Sequence, residues 1–161
     1  SQAIAPPASA ASHRAPASRA SPPAATEYIA GYTALNDITG RDAQVADGQF
    51  FRGKSYDTFA PMGPTLVPTT ALDPAAVAVS SHVNGEQRQA STTAELIFDV
   101  PTLIAYISAI TTLEPGDVIS TGTPGGVGVH RDPPALLAPG DTVAVTVEGV
   151  GTLRNPVIAG E

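Results

Sequence analysis

The chain has 161 residues, enough for one domain with a real core, and only 14% of them are charged. Eight basic residues face fifteen acidic ones, a net charge of −7, which argues against a nucleic-acid binder because such proteins need a basic face. There is no cysteine, so disulfides, thiolate zinc sites and cysteine nucleophiles are excluded, and no apolar run approaches the ~20 residues that span a membrane.

Residues 1–26 read SQAIAPPASAASHRAPASRASPPAAT, and 20 of these 26 are Ala, Pro or Ser. Five prolines remove donors, and the apolar content is almost all alanine. Such a segment is expected to be a disordered, low-complexity leader, because it cannot bury enough surface to offset its chain entropy. A transit peptide and the product of a shifted reading frame remain open as alternatives. No apolar signal-peptide core is present, so a cytoplasmic location is the expectation. Residues 27–161 are expected to form the folded domain.

From Glu27 the punctuation is that of a β-rich domain. EYIAGYTALND reads as a strand or strand pair broken at Gly31. AVAVSSHVNGEQRQAS carries the strongest hairpin signal, with Asn84-Gly85 supplying the two positive-φ positions of a type I′ turn. FDVPTLIAYISAITTLEPGD predicts a helix capped by Asp99, with Pro101 in its first turn and a stripe of Leu103, Ile104, Ile107 and Ile110. GDVIST and GDTVAVTVEGVGTLRNPV read as strands, each launched from a Pro-Gly-Asp turn at 115–117 and 139–141.

DGQFFRGKSYDTF, residues 47–59, matches the phosphate-loop pattern G-x-x-x-x-G-K-[ST] through Gly48, Gly53, Lys54 and Ser55, and Lys54 is the only lysine of the chain. The context does not support it. The four variable positions are Gln49, Phe50, Phe51 and Arg52, too bulky for backbone N–H groups to converge on phosphates. A polar stretch precedes the loop where a buried strand should stand, and three prolines follow within 61–68 where a helix should begin.

Five stretches, GYTALNDITGRDAQ (31–44), FRGKSYDTFAPMGPTLVP (51–68), VNGEQRQASTTAELIFDVPTLIAYIS (83–108), LEPGDVISTGTPGGVG (113–128) and LAPGDTVAVTVEGVGTLRNPV (137–157), together resemble the fumarylacetoacetate hydrolase family, in its C-terminal catalytic domain. The resemblance implies an α+β, mostly β fold, a mixed β-roll with few short helices, and a homodimer. It implies a hydrolase or isomerase that cleaves a C–C bond in, or interconverts the keto and enol forms of, β-diketo or 2-keto acids; the charge balance and the short apolar runs lead to the expectation of no nucleic-acid or membrane partner. It implies a carboxylate-bound Mg²⁺ or Mn²⁺, with Asp37 at a ligand position, Lys54 at the catalytic lysine, and Gln44, Thr58 and Thr123 at substrate-binding positions. Arg41 and Asp42 belong to the same motif as Gln44, with a structural role equally open. The chemistry is coherent: a divalent ion and an ammonium would both stabilise an enolate. The family's other two metal-binding positions form a Glu-x-Glu pair, and no Glu-x-Glu occurs in this chain. A catalytically inactive module with an incomplete metal site is therefore the alternative.

Overall fold

The computed structural model describes residues 2–3, 12–13 and 17–159. Among these residues three antiparallel sheets form, with short helices between them. The largest carries the hairpin of β6 (Ala78–Val83) and β7 (Glu86–Thr92), then β8 (Thr142–Val147) and β9 (Gly151–Pro156), in the order β7-β6-β8-β9. Asn84 and Gly85 turn the hairpin at φ 52 and 83, as the Asn-Gly pair predicts. Central strand β8 reads TVAVTV, with Val143, Ala144, Val145 and Val147 buried, because it is paired on both edges and covered on its inner face.

The second sheet has the order β2-β3-β5, where β2 is Ser12–His13, β3 is Ile29–Leu35 and β5 is Met62–Pro68. Gly31 does not break β3. It sits where a Cβ would meet the Val67 carbonyl oxygen at 2.4 Å, so glycine here permits close approach to β5 rather than ending a strand. β5 tolerates Pro64 and Pro68 because it lies at an edge of its sheet. A two-residue ladder joins β1 (Gln2–Ala3) to β4 (Thr39–Gly40).

Ala34, Ile38, Val79, Val83, Val143, Val145 and Val147 form a core between the two larger sheets. A second core lies under α4 (Val100–Ser108), where Ile29, Tyr32, Val100, Ile104, Leu113 and Ile119 enclose Ala17 and Ala25. Asp99 caps α4 by accepting the Thr102 N–H at 2.9 Å, and Pro101 sits in the first turn as expected. The helix stops at Ser108, two residues short of the end of the expected stripe. Ile110 is consequently 75% exposed, and the buried face runs through Val100, Ile104 and Ser108 instead. GDVIST forms no strand, only an isolated bridge position at Ile119, whose side chain is anchored by burial.

The boundary expected at residue 26 falls inside packed structure. The leader up to residue 16, apart from four strand residues, lies outside the described residues, but 17–26 do not form a tail. Ala17 exchanges two backbone hydrogen bonds with Leu113, at 2.8 and 2.9 Å, and Ser108 accepts the Arg19 and Ala20 N–H groups through its carbonyl and its hydroxyl. α1 (Pro22–Ala25) packs on α4. Composition misled here because the burial energy comes from the partners. Ala17 and Ala25 supply little area themselves, but their small size lets Ile104 and Leu113 close over them. No helix among the described residues is long and apolar enough to cross a membrane.

The two Pro-Gly-Asp turns are alike in detail. Gly116 and Gly140 take φ 101 and 98, and Asp117 and Asp141 each accept the N–H three residues back at 2.8 Å. Asp141 does more: its other oxygen accepts the Asn84 amide at 2.8 Å, tying this turn to the hairpin tip, and Asn84 in turn accepts the Thr142 N–H at 2.9 Å. The Ala138 N–H and the Asn84 amide hold the Asp141 carboxyl below the usual range.

Two outcomes follow for stability. Ile104→Ala removes a fully enclosed side chain between α4 and the leader, and should cost about 2–5 kcal/mol in denaturant unfolding. Asp141→Ala should cost about 1 kcal/mol, held to that low figure by solvent screening. Because the folded carboxyl titrates below the unfolded value near ~4, its stabilisation is present above that pH and lost as pH falls through the folded value. The gap between wild type and Asp141→Ala, measured by thermal melts from neutral pH downward, should close in acid.

Candidate functional site

The segment that mimics a phosphate loop builds a different structure. α2 (Arg41–Asp47) ends at Gly48, which takes the left-handed conformation at φ 63, so the first glycine of the motif is a helix stop. Phe50 then opens α3 (Phe51–Lys54), and Phe51 is 82% exposed. Arg52 closes the α2–α3 corner with a two-pronged contact to Asp47 at 2.5 and 2.7 Å, which holds the Asp47 carboxyl below its ordinary range. Gly53, the second glycine, is buried against β4 and α2. A Cβ there would stand 3.0 Å from the Gly40 carbonyl oxygen and 3.1 Å from the Gln44 Cβ. The missing side chain lets the end of α3 lie on both elements.

That approach delivers Lys54. Its ammonium donates to Asp37 Oδ2, closing an ion pair between the loop after β3 and the end of α3. The side chains of Lys54 and Asp37 remain 32% and 21% exposed, so the pair is reachable from solvent. Arg41 stands beside them: burial pulls its guanidinium below the ordinary value and the Asp37 charge pushes it back up. Arg41 Nη1 donates to Gln44 Oε1 at 2.6 Å, and its buried Nε has no partner among the described residues. Asn36, fully buried next to Asp37, donates to Asn155 Oδ1 of β9 at 3.3 Å and anchors the loop from below.

Of the five residues expected at the site, Asp37 and Lys54 are in contact, and Gln44 is linked to them through Arg41 and through the backbone of Gly53. Thr58, in a loop at φ 69, is on the wall of a cavity of about 520 Å³ that also includes Ile38, the residue after Asp37, with Phe59, Asn155 and Val157. Thr123 is placed elsewhere. It lines a cavity of about 270 Å³ with Ser91, Leu96, Phe98 and Leu103, which none of the other four residues touches. There Gln89, buried at 2% exposure, accepts from the Ser81 hydroxyl at 2.7 Å and donates to the Pro124 carbonyl at 3.1 Å and toward Thr123 Oγ1 at 3.5 Å.

Sequence reading missed Gln89 and Gly53. A polar residue at an inward position of a strand was the available signal for Gln89. Gly53 carried none, because the neighbour that demands it lies across the fold. Mg²⁺ or Mn²⁺ was expected at Asp37. Among the described residues no group of three His, Asp or Glu side chains is placed to hold a metal ion, and Asp37 already faces an ammonium. A hard divalent ion needs several oxygen ligands, so the residues present do not fit one.

Gly53→Ala should separate α3 from β4. It is expected to cost about 1–3 kcal/mol in unfolding, as overpacking does, whereas Gly48→Ala, at a position with nothing within 4 Å, should show only the smaller strain of its positive φ. Equal losses in the two variants would refute the close-approach role of Gly53.

A family model described as fumarylacetoacetate (FAA) hydrolase, C-terminal, matches residues 10–158. The oxaloacetate tautomerase YisK of Bacillus subtilis is 46% identical over 134 residues, covering 83% of this chain and 44% of that protein. The mitochondrial oxaloacetate tautomerase Fahd2a of Rattus norvegicus is 44% identical over 133 residues, covering 81% and 42%. Among solved structures, the fumarylacetoacetate hydrolase of Exiguobacterium antarcticum superposes with a TM-score of 0.95 at 43% identity, over 99% of this chain and 57% of that one. The 2-hydroxyhepta-2,4-diene-1,7-dioate isomerase of Mycobacterium marinum gives 0.88 at 42% identity, over 98% and 58%. The chain spans about half the length of the curated relatives it matches.

Proposed function

This chain belongs to the fumarylacetoacetate hydrolase family, and from that premise we propose that it acts on 2-keto acids, interconverting keto and enol forms or hydrolysing the C–C bond beside the ketone. The names of its relatives support a keto-acid isomerase or hydrolase, and oxaloacetate is the substrate to try first. The observation that carries the reading is the Lys54–Asp37 contact, assembled from two segments and open to solvent.

Both reactions pass through an enolate, so the group that matters is one that meets charge as it develops on the former ketone oxygen. The Lys54 ammonium has three N–H donors and gives one to Asp37, which fixes its position. With the side chain 32% exposed, the other two are reachable from water. Arg41 adds a second positive charge that complements the substrate carboxylate. Gln44, held by Arg41, and Thr58, on the neighbouring cavity wall, are the proposed substrate contacts. Thr123 enters this reading through the family resemblance alone.

The second reading, a folded module without turnover, is favoured by one observation: among the described residues Asp37 is not joined by two further His, Asp or Glu side chains placed to hold an ion. One assay separates them. Oxaloacetate enolisation, followed by the ultraviolet absorbance of the enol, should be catalysed by the wild-type chain, and Lys54→Met should lower kcat/KM by about 10²-fold, the loss typical of removing one oxyanion donor. Near-normal turnover in Lys54→Met would refute the role of the ammonium. A wild-type chain without turnover would leave the inactive module standing.

A further inference from the structure

All fifteen acids of this chain lie at or beyond Glu27, so residues 1–26 carry no carboxylate to bring to any site. Among the described residues, no three Asp, Glu or His side chains gather where they could share an ion. Asp37 therefore belongs to no such group, and its Oδ2 is occupied by the Lys54 ammonium. Mg²⁺ gives up its water reluctantly and binds where carboxylates or phosphates replace it. One carboxylate already neutralised by an ammonium does not supply that, and Arg41 adds a further positive charge against an incoming dication. Asp37, Lys54 and Arg41 sum to +1, the sign of an anion site.

We infer that in this chain Lys54, rather than a divalent metal, is the cation that Asp37 holds, and that the site takes the carboxylate of its ligand without a metal ion. The identity of the ligand as a 2-keto acid rests on the function proposed above; the metal independence does not. Two geometric facts support it. Gly53 lets the end of α3 lie close on β4, which puts the Lys54 side chain within reach of Asp37. Arg41 is fixed on its far side by Gln44, which keeps its charge at the site.

The test uses the full chain and two probes. Mn²⁺ is titrated alone and followed by electron paramagnetic resonance. Oxalate, an unreactive dianion shaped like a short enolised keto acid, is titrated by calorimetry in EDTA and again in Mg²⁺. The expected results are no Mn²⁺ uptake below millimolar concentration, an oxalate Kd unchanged between EDTA and Mg²⁺, and binding about tenfold weaker in Lys54→Met, as for loss of one charge-assisted hydrogen bond. Micromolar Mn²⁺ binding that Asp37→Asn abolishes, or oxalate binding that requires Mg²⁺, would overturn the inference. The wild-type titrations decide it without any variant. Metal-free oxalate binding without turnover would sink the proposed catalysis and leave this inference standing. Turnover that EDTA abolishes would do the reverse.

Discussion

One contact between opposite charges lies at the centre of the candidate site: the Lys54 ammonium on the Asp37 carboxylate. Its energy is modest. A partly exposed ion pair contributes about 0–1 kcal/mol once desolvation and side-chain entropy are counted. Such a pair cannot pull two segments together, so the fold must hold the pair. It does so with backbone geometry. Gly48 stops α2, the Arg52–Asp47 contact sets the corner, and Gly53 allows α3 to press onto β4. Asn36 pins the opposite side by reaching β9 through Asn155. Acting together, these constraints fix where the two segments meet.

The frame behind that geometry is a pair of cores. Valines of β6 and β8 against Ala34 and Ile38 set the position of the loop that carries Asp37. Under α4, large side chains close around alanines from the first 26 residues. The second core shows why composition is a poor guide to order in an alanine-rich segment. An alanine gains little by its own burial, but it lets isoleucine and leucine neighbours bury themselves at van der Waals distance. Order in such a segment is decided by the partner surface.

Local chemistry repeats with different tertiary consequences. Pro-Gly-Asp makes the same turn twice, with the same positive φ at glycine and the same backbone hydrogen bond to the aspartate. Only Asp141 stands near the hairpin tip, and only Asp141 receives the Asn84 amide. Asn84 therefore does two jobs, turning β6 into β7 and bonding the turn that launches β8. Gln89 acts similarly inside the hairpin, where its buried amide fixes the loop carrying Thr123.

The sequence by itself determined what depends on neighbours along the chain: the Asn84-Gly85 hairpin, the Asp99 cap with Pro101, both Pro-Gly-Asp turns and the rejection of a phosphate loop. Each is set by φ preferences or hydrogen bonds spanning a few residues. Family-specific stretches also marked Asp37, Gln44 and Lys54, of which the fold puts Asp37 and Lys54 in contact and joins Gln44 to the neighbouring Arg41. Only the tertiary structure decided the rest. Gly31 reads as a strand breaker until Val67 is seen against it, and Gly53 reads as half of a phosphate motif until Gly40 and Gln44 are. The stripe through Ile110 fails because α4 ends where Ser108 turns to the leader, and that leader packs because α4 offers it a face. The pairing of Asp37 with an ammonium belongs to the same class. Every one of these depends on which distant atoms share a few ångströms of space, and no local pattern of residues encodes that.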